Sequence, residues 1–497
     1  MKTLNRLAVA CLVLPAAIAV AQAAPQTPFG RELAQTLHAL RTATPYQNNN
    51  GVVPPHSVYP GPLFTLNHAW PTQALPPLTN APWQAAIQNG KITPQNAPAY
   101  AAALKAAVAD NARNLIMHYD TWDAAKAGWY NEPWLGSLRE AIHGTYAAGE
   151  FNSSSFPGTG LRVQFNTNVV TYYDARAAHT LSKFWGTSAM KPNLNTQSAQ
   201  FPEGSIVVKA AVFASEDQKN PLNWWDAMNG AQAWNMYIGV GPSGSNPPPQ
   251  VWPGYVAQFD IIVKDSQSSP KTGWVFMTLV YDSSTPGDVW DKMVPLGVQW
   301  GNDPEATDPT MPLQETWNNP KAPLYSTQTL GWGNRLSGPN DGARNDIAAN
   351  GIIMKNAPDS GCMSCHSTSQ WNGNLHKMVT FLLPSYPAPA FPNWPPFLSC
   401  GDDGKPIQPS KKTNPGNYIC SPVPGSSEWM KLFQDRHGDQ PMDAGSFATD
   451  FDEVFSFKSL KLWWQAVGPA NQGLPLLTRL PINGQRYNLY TGAPLKN

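Results

Sequence analysis

Residues 205–213 run Ser-Ile-Val-Val-Lys-Ala-Ala-Val-Phe, a stretch rich in β-branched residues with a single charge, Lys209. It is too short and too branched for a helix and reads as a mostly buried strand. The same texture recurs on both sides, from Leu161 to Tyr281, with turn residues between the runs. The predicted strands are Leu161–Tyr173, Ser205–Phe213, Trp234–Gly239, Tyr255–Val263 and Gly273–Tyr281. A helix over Asp174–Trp185 separates the first two. This order predicts an α+β fold, an antiparallel sheet with helices to one side.

N-terminal to the strands the pattern is helical. The stretch Tyr100–Asp120 carries Leu104, Ala107, Val108, Ala112, Leu115 and Ile116 as one apolar stripe. Residues 81–149 as a whole read as helical, Trp134–Tyr146 included, and a short helix is expected over Phe29–Arg41. C-terminal to the strands, residues 300–350 are loop-rich and 384–425 are Pro-dense. Ser427 is expected to cap a short helix ending at His437-Gly438, and Thr449–Trp464 to form another. The organisation expected is a leader (1–23), an N-terminal helical region (24–158), a sheet domain (159–390) and a C-terminal extension (391–497).

The 497 residues include 33 Lys plus Arg and 33 Asp plus Glu, a formal net charge of zero. Charged residues are 13% of the chain, about half the ordinary share. That leaves no electrostatic footprint for nucleic acid. With 20 Trp, 16 Tyr and 18 Phe, the chain has ample material for a core. The leader has Lys2 and Arg6, then the apolar run Leu7–Val20, which contains Cys11, then Ala21-Gln22-Ala23 at a small-x-small cleavage position. The expected destination is the periplasm or the cell exterior. The apolar run is too short for a membrane span, and no span is expected elsewhere.

Four cysteines follow the leader. Cys400 and Cys420 flank a polar loop, and export favours a disulfide between them. Closing that loop would add roughly 3 kcal/mol on the chain-entropy model. The other two lie in Cys362-Met363-Ser364-Cys365-His366, a complete c-type haem attachment signal. Two thiols at this spacing add to the two porphyrin vinyls, and the adjacent His366 becomes the proximal iron ligand. A zinc site would need two more nearby ligands. A thioredoxin-type pair would follow a strand, whereas this one follows the loop Asn356-Ala357-Pro358-Asp359-Ser360-Gly361. One covalent haem c is therefore expected. A single motif excludes dihaem enzymes as single chains.

Several segments in order resemble the cytochrome P-460 and cytochrome c′-beta family of exported monohaem proteins. Val169-Val170-Thr171-Tyr172-Tyr173-Asp174 resembles its opening strand and helix. Phe201-Pro202-Glu203-Gly204-Ser205 leading into Val207-Val208-Lys209 resembles its second strand. Ile262-Val263-Lys264-Asp265-Ser266 and then Gly273-Trp274-Val275-Phe276 resemble the next pair. The Cys-x-x-Cys-His follows, then Met378-Val379-Thr380-Phe381 ahead of Tyr386-Pro387. The resemblance covers about 159–390. The N-terminal region, the C-terminal extension and a long insertion between Tyr281 and Cys362 depart from the family's pattern.

The resemblance implies an antiparallel sheet over the haem and chemistry on a small substrate at an open distal site, or else binding of a diatomic gas. One-electron transfer to a redox partner protein is the further alternative. Lys209 matches the lysine that the P-460 branch joins to the porphyrin edge. Its strand offers no charge partner, so its ammonium would tend to neutralise and become a nucleophile. The alternative is an edge-strand gatekeeper. Asp260 matches a distal carboxylate position of the enzymatic branch, able to supply protons. Against that, strand alternation groups Val256, Gln258, Asp260 and Ile262 on one face and favours Gln258 and Asp260 in solvent. Met442 and His376 are further candidates for a second axial ligand. Gly239-Val240-Gly241-Pro242-Ser243-Gly244 matches a dinucleotide fingerprint by letters, but the prolines after it cannot open a helix.

Overall fold

The computed structural model describes residues 44–151 (less 77 and 79), 156–215, 224–240, 248–341, 346–349, 352–355, 360–374, 398–400, 420–422, 425 and 427–467. The leader, the helix expected over Phe29–Arg41, His376, Met378–Phe381 and Tyr386-Pro387 lie outside the described residues. Central to the fold is an eight-stranded antiparallel sheet. Its strands are β1 (Tyr146–Phe151), β2 (Phe165–Tyr173), β3 (Ile206–Ser215), β4 (Ala233–Ile238), β5 (Gln250–Lys264), β6 (Trp274–Tyr281), β7 (Met293–Gln299) and β8 (Thr316–Asn318). The order is β1-β2-β3-β5-β6-β7-β8, with β4 paired to β5 alongside. Strand β5 spans 15 residues, long enough to pair with β4 through Gln250–Tyr255 and with β6 through Gln258–Lys264.

The α+β class is as expected, but the sheet is covered on both faces rather than one. The helix α1 (Ala97–Met117) lies on one face, where Tyr100, Leu104, Val108, Leu115 and Ile116 share a core with Val208, Val212, Phe259, Ile261 and Met277. The helix α2 (Ala175–Trp185), the short helix α3 (Cys362–His366) and the helix α4 (Leu460–Val467) belong to the opposite face. Their core includes Ala177, Leu181, Phe184, Met363 and Leu460, with Val207, Ala211, Phe213 and Phe276 of the sheet. The reason is the strands' composition. Strands β2 and β6 are buried at every residue, so neither face tolerates water. Ala107 is the one expected stripe residue that stays exposed.

The predicted strand centres match the observed ones, with ends shifted by a few residues; β1, β7 and β8 are additional. Asp174 is the N-cap of α2, its carboxylate accepting the Ala177 N–H at 2.8 Å. The helix expected over Trp134–Tyr146 is absent: a 3₁₀ turn at Leu135–Leu138 is followed by turns and then β1. There the Glu140 carboxylate accepts backbone N–H groups of Ile142, His143 and Thr145, which offers the chain an alternative to helix. The C-terminal helix starts later than expected. Asp450 and Phe451 both adopt positive φ (50° and 66°), so helical structure begins only at Val454, with a π-helical turn before α4. The helix at Ser427–Met430 passes into a 3₁₀ turn that ends at Phe433, short of His437.

A bulge in β5 corrects the face assignment. Ala211 pairs with Gln258, and the next pair is Val212 with Val256, so Ala257 is the extra residue. The extra residue exchanges the two faces beyond it. Val256 therefore packs with Phe259 and Ile261 toward α1, not with Gln258 and Asp260.

Candidate functional site

The chemistry-bearing motif is held by the long insertion after β6. Arg335 is fully buried and donates to four backbone carbonyls: Asn302 (2.8 Å), Trp332 (3.1 Å), Asp303 (2.7 Å) and Ala306 (3.1 Å). Its guanidinium lies 4.8 Å from the ring centres of Trp332 and Phe433. That fixes the loop so that the Leu336 carbonyl accepts the Cys362 N–H at 2.6 Å. Gln299, at the end of β7, accepts the Met363 N–H through Oε1 at 3.1 Å. Gly361 has no room for a side chain: a Cβ there would lie 2.9 Å from Arg335 Cβ. Ser364 Oγ completes the start of α3, accepting the Gly361 N–H at 2.7 Å.

Helix α3 presents two thiols and an imidazole. Cys362 and Cys365 are half-buried and not bonded to each other. Burial, with the acidic groups nearby, raises both thiols well above the ordinary cysteine range. Cys365 Sγ donates to Glu453 Oε1 at 3.1 Å. His366 Nδ1 is 2.7 Å from the Phe451 carbonyl, so this nitrogen carries a proton and donates it, which leaves Nε2 as the ring atom a metal would take. Its ring lies against Phe276, centroids 4.7 Å apart.

This donor set fits a covalently attached haem. Two neutral thiols one helical turn apart suit addition to vinyls. A histidine with Nδ1–H on a backbone carbonyl is the arrangement that orients a metal-ligating imidazole. Among the described residues no group of three His, Cys, Asp or Glu converges as a metal site of its own.

Lys209 and Asp260 come together beside Cys362. They are register partners between β3 and β5, with Nζ 2.8 Å from Asp260 Oδ2. Asp341, from the insertion, is 3.5 Å away on the same ammonium. Gln258 positions this group: its Nε2 donates to both Asp260 oxygens at 3.0 Å, and its Oε1 accepts the Asn340 N–H at 2.8 Å. Two expectations are thereby corrected. Asp260 is 6% exposed and does not face solvent. Lys209 sits in the middle of the sheet, neither unpaired nor an edge gatekeeper. Burial opposes its charge, but Asp260 and Asp341 outweigh burial and raise its pKa above the ordinary lysine value.

Four acidic residues at this face escaped the sequence reading: Asp341, Glu132, Asp452 and Glu453. Burial beside Asp452 pushes Glu132 well above the usual carboxylate range, and burial brings Asp452 up to about 6. Tyr173 donates its hydroxyl to Asp452 at 2.8 Å. The run Asp450-Phe451-Asp452-Glu453 was a visible signal, three acids in four residues of a chain with few charges. Asp341 and Glu132 had no such signal.

Met442 packs with Trp332, Trp429, Met430, Leu432 and Phe433. Cys400 and Cys420 lie in short parallel strands, Leu398–Cys400 and Cys420–Pro422, with Leu398 registered to Cys420 and Cys400 to Pro422. Among the described residues no helix is long and apolar enough to cross a membrane. No family model, no curated protein and no solved structure matches the chain.

Proposed function

We propose that the chain is an exported cytochrome with one haem c, an oxidoreductase acting on a small molecule at the open side of the haem. The observation that carries this reading is the geometry of α3. It pairs two thiols outside any disulfide with a histidine whose Nδ1 is committed to the Phe451 carbonyl, leaving Nε2 as the ring atom for a metal. Attachment needs no oxidant. Cys362 and Cys365 would hold the haem as thioethers, each S–H adding across one vinyl C=C, sulfur to one carbon and hydrogen to the other. When bound, the haem supplies one-electron chemistry and, at an open position, binding of a small ligand.

The chain's own residues supply a held positive charge beside the thiols. Lys209 holds a proton under the control of Asp260 and Asp341, and Gln258 fixes the Asp260 carboxylate. An ammonium so paired keeps its proton, and it can offer a fixed positive charge and an N–H hydrogen bond to a small ligand. The same pairing favours a second reading over the P-460 branch. A charged ammonium is not a nucleophile, so a Lys209 bond to the porphyrin edge loses its simplest cause. A gas-binding or one-electron cytochrome then becomes the alternative.

Intact mass tests the first point: the purified protein should carry one haem that acid–butanone does not extract. Extractable haem, or none, overturns it. Tryptic digestion tests the second. A Lys209 peptide attached to the Cys362–Cys365 haem peptide marks the P-460 branch. A haem peptide without it marks the alternative.

A further inference from the structure

The turn before the C-terminal helices adopts a conformation its residues do not favour. Asp450 and Phe451 are consecutive non-glycine residues at φ 50° and 66°. For a bulky side chain such as Phe451 that backbone persists only if its surroundings over-determine it. The surroundings are specific. Asp450 is fully buried, and its Oδ1 accepts from Lys264 Nζ at 2.6 Å and from Trp274 Nε1 at 2.7 Å. Its Oδ2 accepts the Phe201 N–H at 2.8 Å. Its own N–H donates to the Gly438 carbonyl at 3.1 Å, and Gly438 has no room for a side chain, since a Cβ there would be 1.7 Å from Oδ1. One carboxylate thus ties the turn to the end of β5, the start of β6 and the segment ahead of β3. On the other side, Ser369 anchors the same turn: its carbonyl accepts the Thr449 N–H at 3.1 Å, and its hydroxyl donates to the Asp452 carbonyl at 2.5 Å.

What the turn presents is the Phe451 carbonyl, the acceptor of His366 Nδ1–H. We propose that Asp450 is the positioning residue of His366. It touches neither the imidazole nor any reacting atom. Its three hydrogen bonds hold the left-handed turn, and the turn aims the carbonyl that fixes the tautomer and plane of the ring. The inference rests on the haem reading for its consequence, because a well-held Nδ1–H makes Nε2 a stronger donor to iron. Its structural content stands on the turn alone.

The test uses the full chain as purified, 15N-labelled at histidine, reduced and exposed to carbon monoxide. Two quantities are read: solvent exchange of the His366 Nδ1–H, and the reduction potential. Asp450→Asn leaves the Phe201 N–H or one other donor without an acceptor. It should speed that exchange by about tenfold or more and raise the potential. Asp450→Asn with Lys264→Met removes the stranded ammonium as well, and should recover Tm while leaving both readouts altered. Trp274→Phe, which deletes one donor, should shift both in the same direction by less. Phe259→Ala, on the far face, should lower Tm and move neither. Wild-type exchange and potential in the double variant, or in Trp274→Phe if the Asp450 variants do not fold, would overturn the proposal. A wild-type chain without haem would sink the functional reading, and the Nδ1–H exchange would still decide the positioning role.

Discussion

The two faces of the central sheet are built from alternate residues of the same strands, yet they do different work. Toward α1, β3 contributes Val208, Ala210 and Val212, β5 contributes Phe259 and Ile261, and β6 contributes Met277 and Leu279. Toward α3, the same strands contribute Lys209, Gln258, Asp260 and Thr278 among apolar neighbours, all but Lys209 almost fully buried. The first face is held by apolar burial, at about 25 cal/mol per Å². The second carries ionised groups under cover, which is costly unless each is paired. Such an arrangement adds little to stability, and it lies beside the two thiols of the proposed site.

Replacement of Cys362 and Cys365 together by alanine should have the largest effect on this contrast. On the proposed reading it should remove all covalent haem, read as loss of the Soret band and of the added mass, while the α1 face should keep the chain folded by circular dichroism. An unfolded apoprotein would mean that the two faces are not independent.

Phe259→Ala comes next. It should cost about 3–5 kcal/mol in urea denaturation through the cavity it leaves, with the visible spectrum unchanged. A spectral change would show that the packed face reaches the site.

Asp260→Ala sharpens the comparison from the other side. It leaves the buried Lys209 ammonium with Asp341 alone, and should cost about 3 kcal/mol. The double variant Lys209→Met, Asp260→Leu should recover most of that loss but not any turnover. Recovery of both would make the pair structural only.

The smallest effect is one of pH, and it lies away from the site. Burial pushes the Asp174 carboxyl up to about 6 in the folded protein, against an unfolded value near 3.9. The folded state holds the proton more tightly. This contribution is therefore fully present below about pH 3.9 and is lost as pH rises through about 6. Asp174→Asn, which keeps the N-cap, should flatten the stability profile over that window. An unchanged profile would refute the assignment.

Short-range patterns carried much of the fold. β-Branched runs located β2, β3, β5 and β6, and a 3.6-residue stripe located α1, because those signals are local and repeated. Irregular backbone was not legible. The turn at Asp450-Phe451 and the loop around Glu140 depend on partners far along the chain or on a carboxylate's choice of donors. The same holds for the bulge at Ala257, which no local pattern announces, and it decided which residues share a face with Asp260.

At the site the division is equally physical. The spacing Cys362-x-x-Cys365-His366 by itself carries the expectation of a covalently held haem, because vinyl separation and an adjacent ligand are covalent constraints that need only a few bonds of chain. The state of Lys209 could not be determined that way. Its partners are 51 and 132 positions away, one on a neighbouring strand and one on the insertion, and only tertiary structure brings them within 2.8 and 3.5 Å. An ionisable side chain takes its charge from what surrounds it in space, so the residue type was visible in the sequence and its chemistry was decided by the fold.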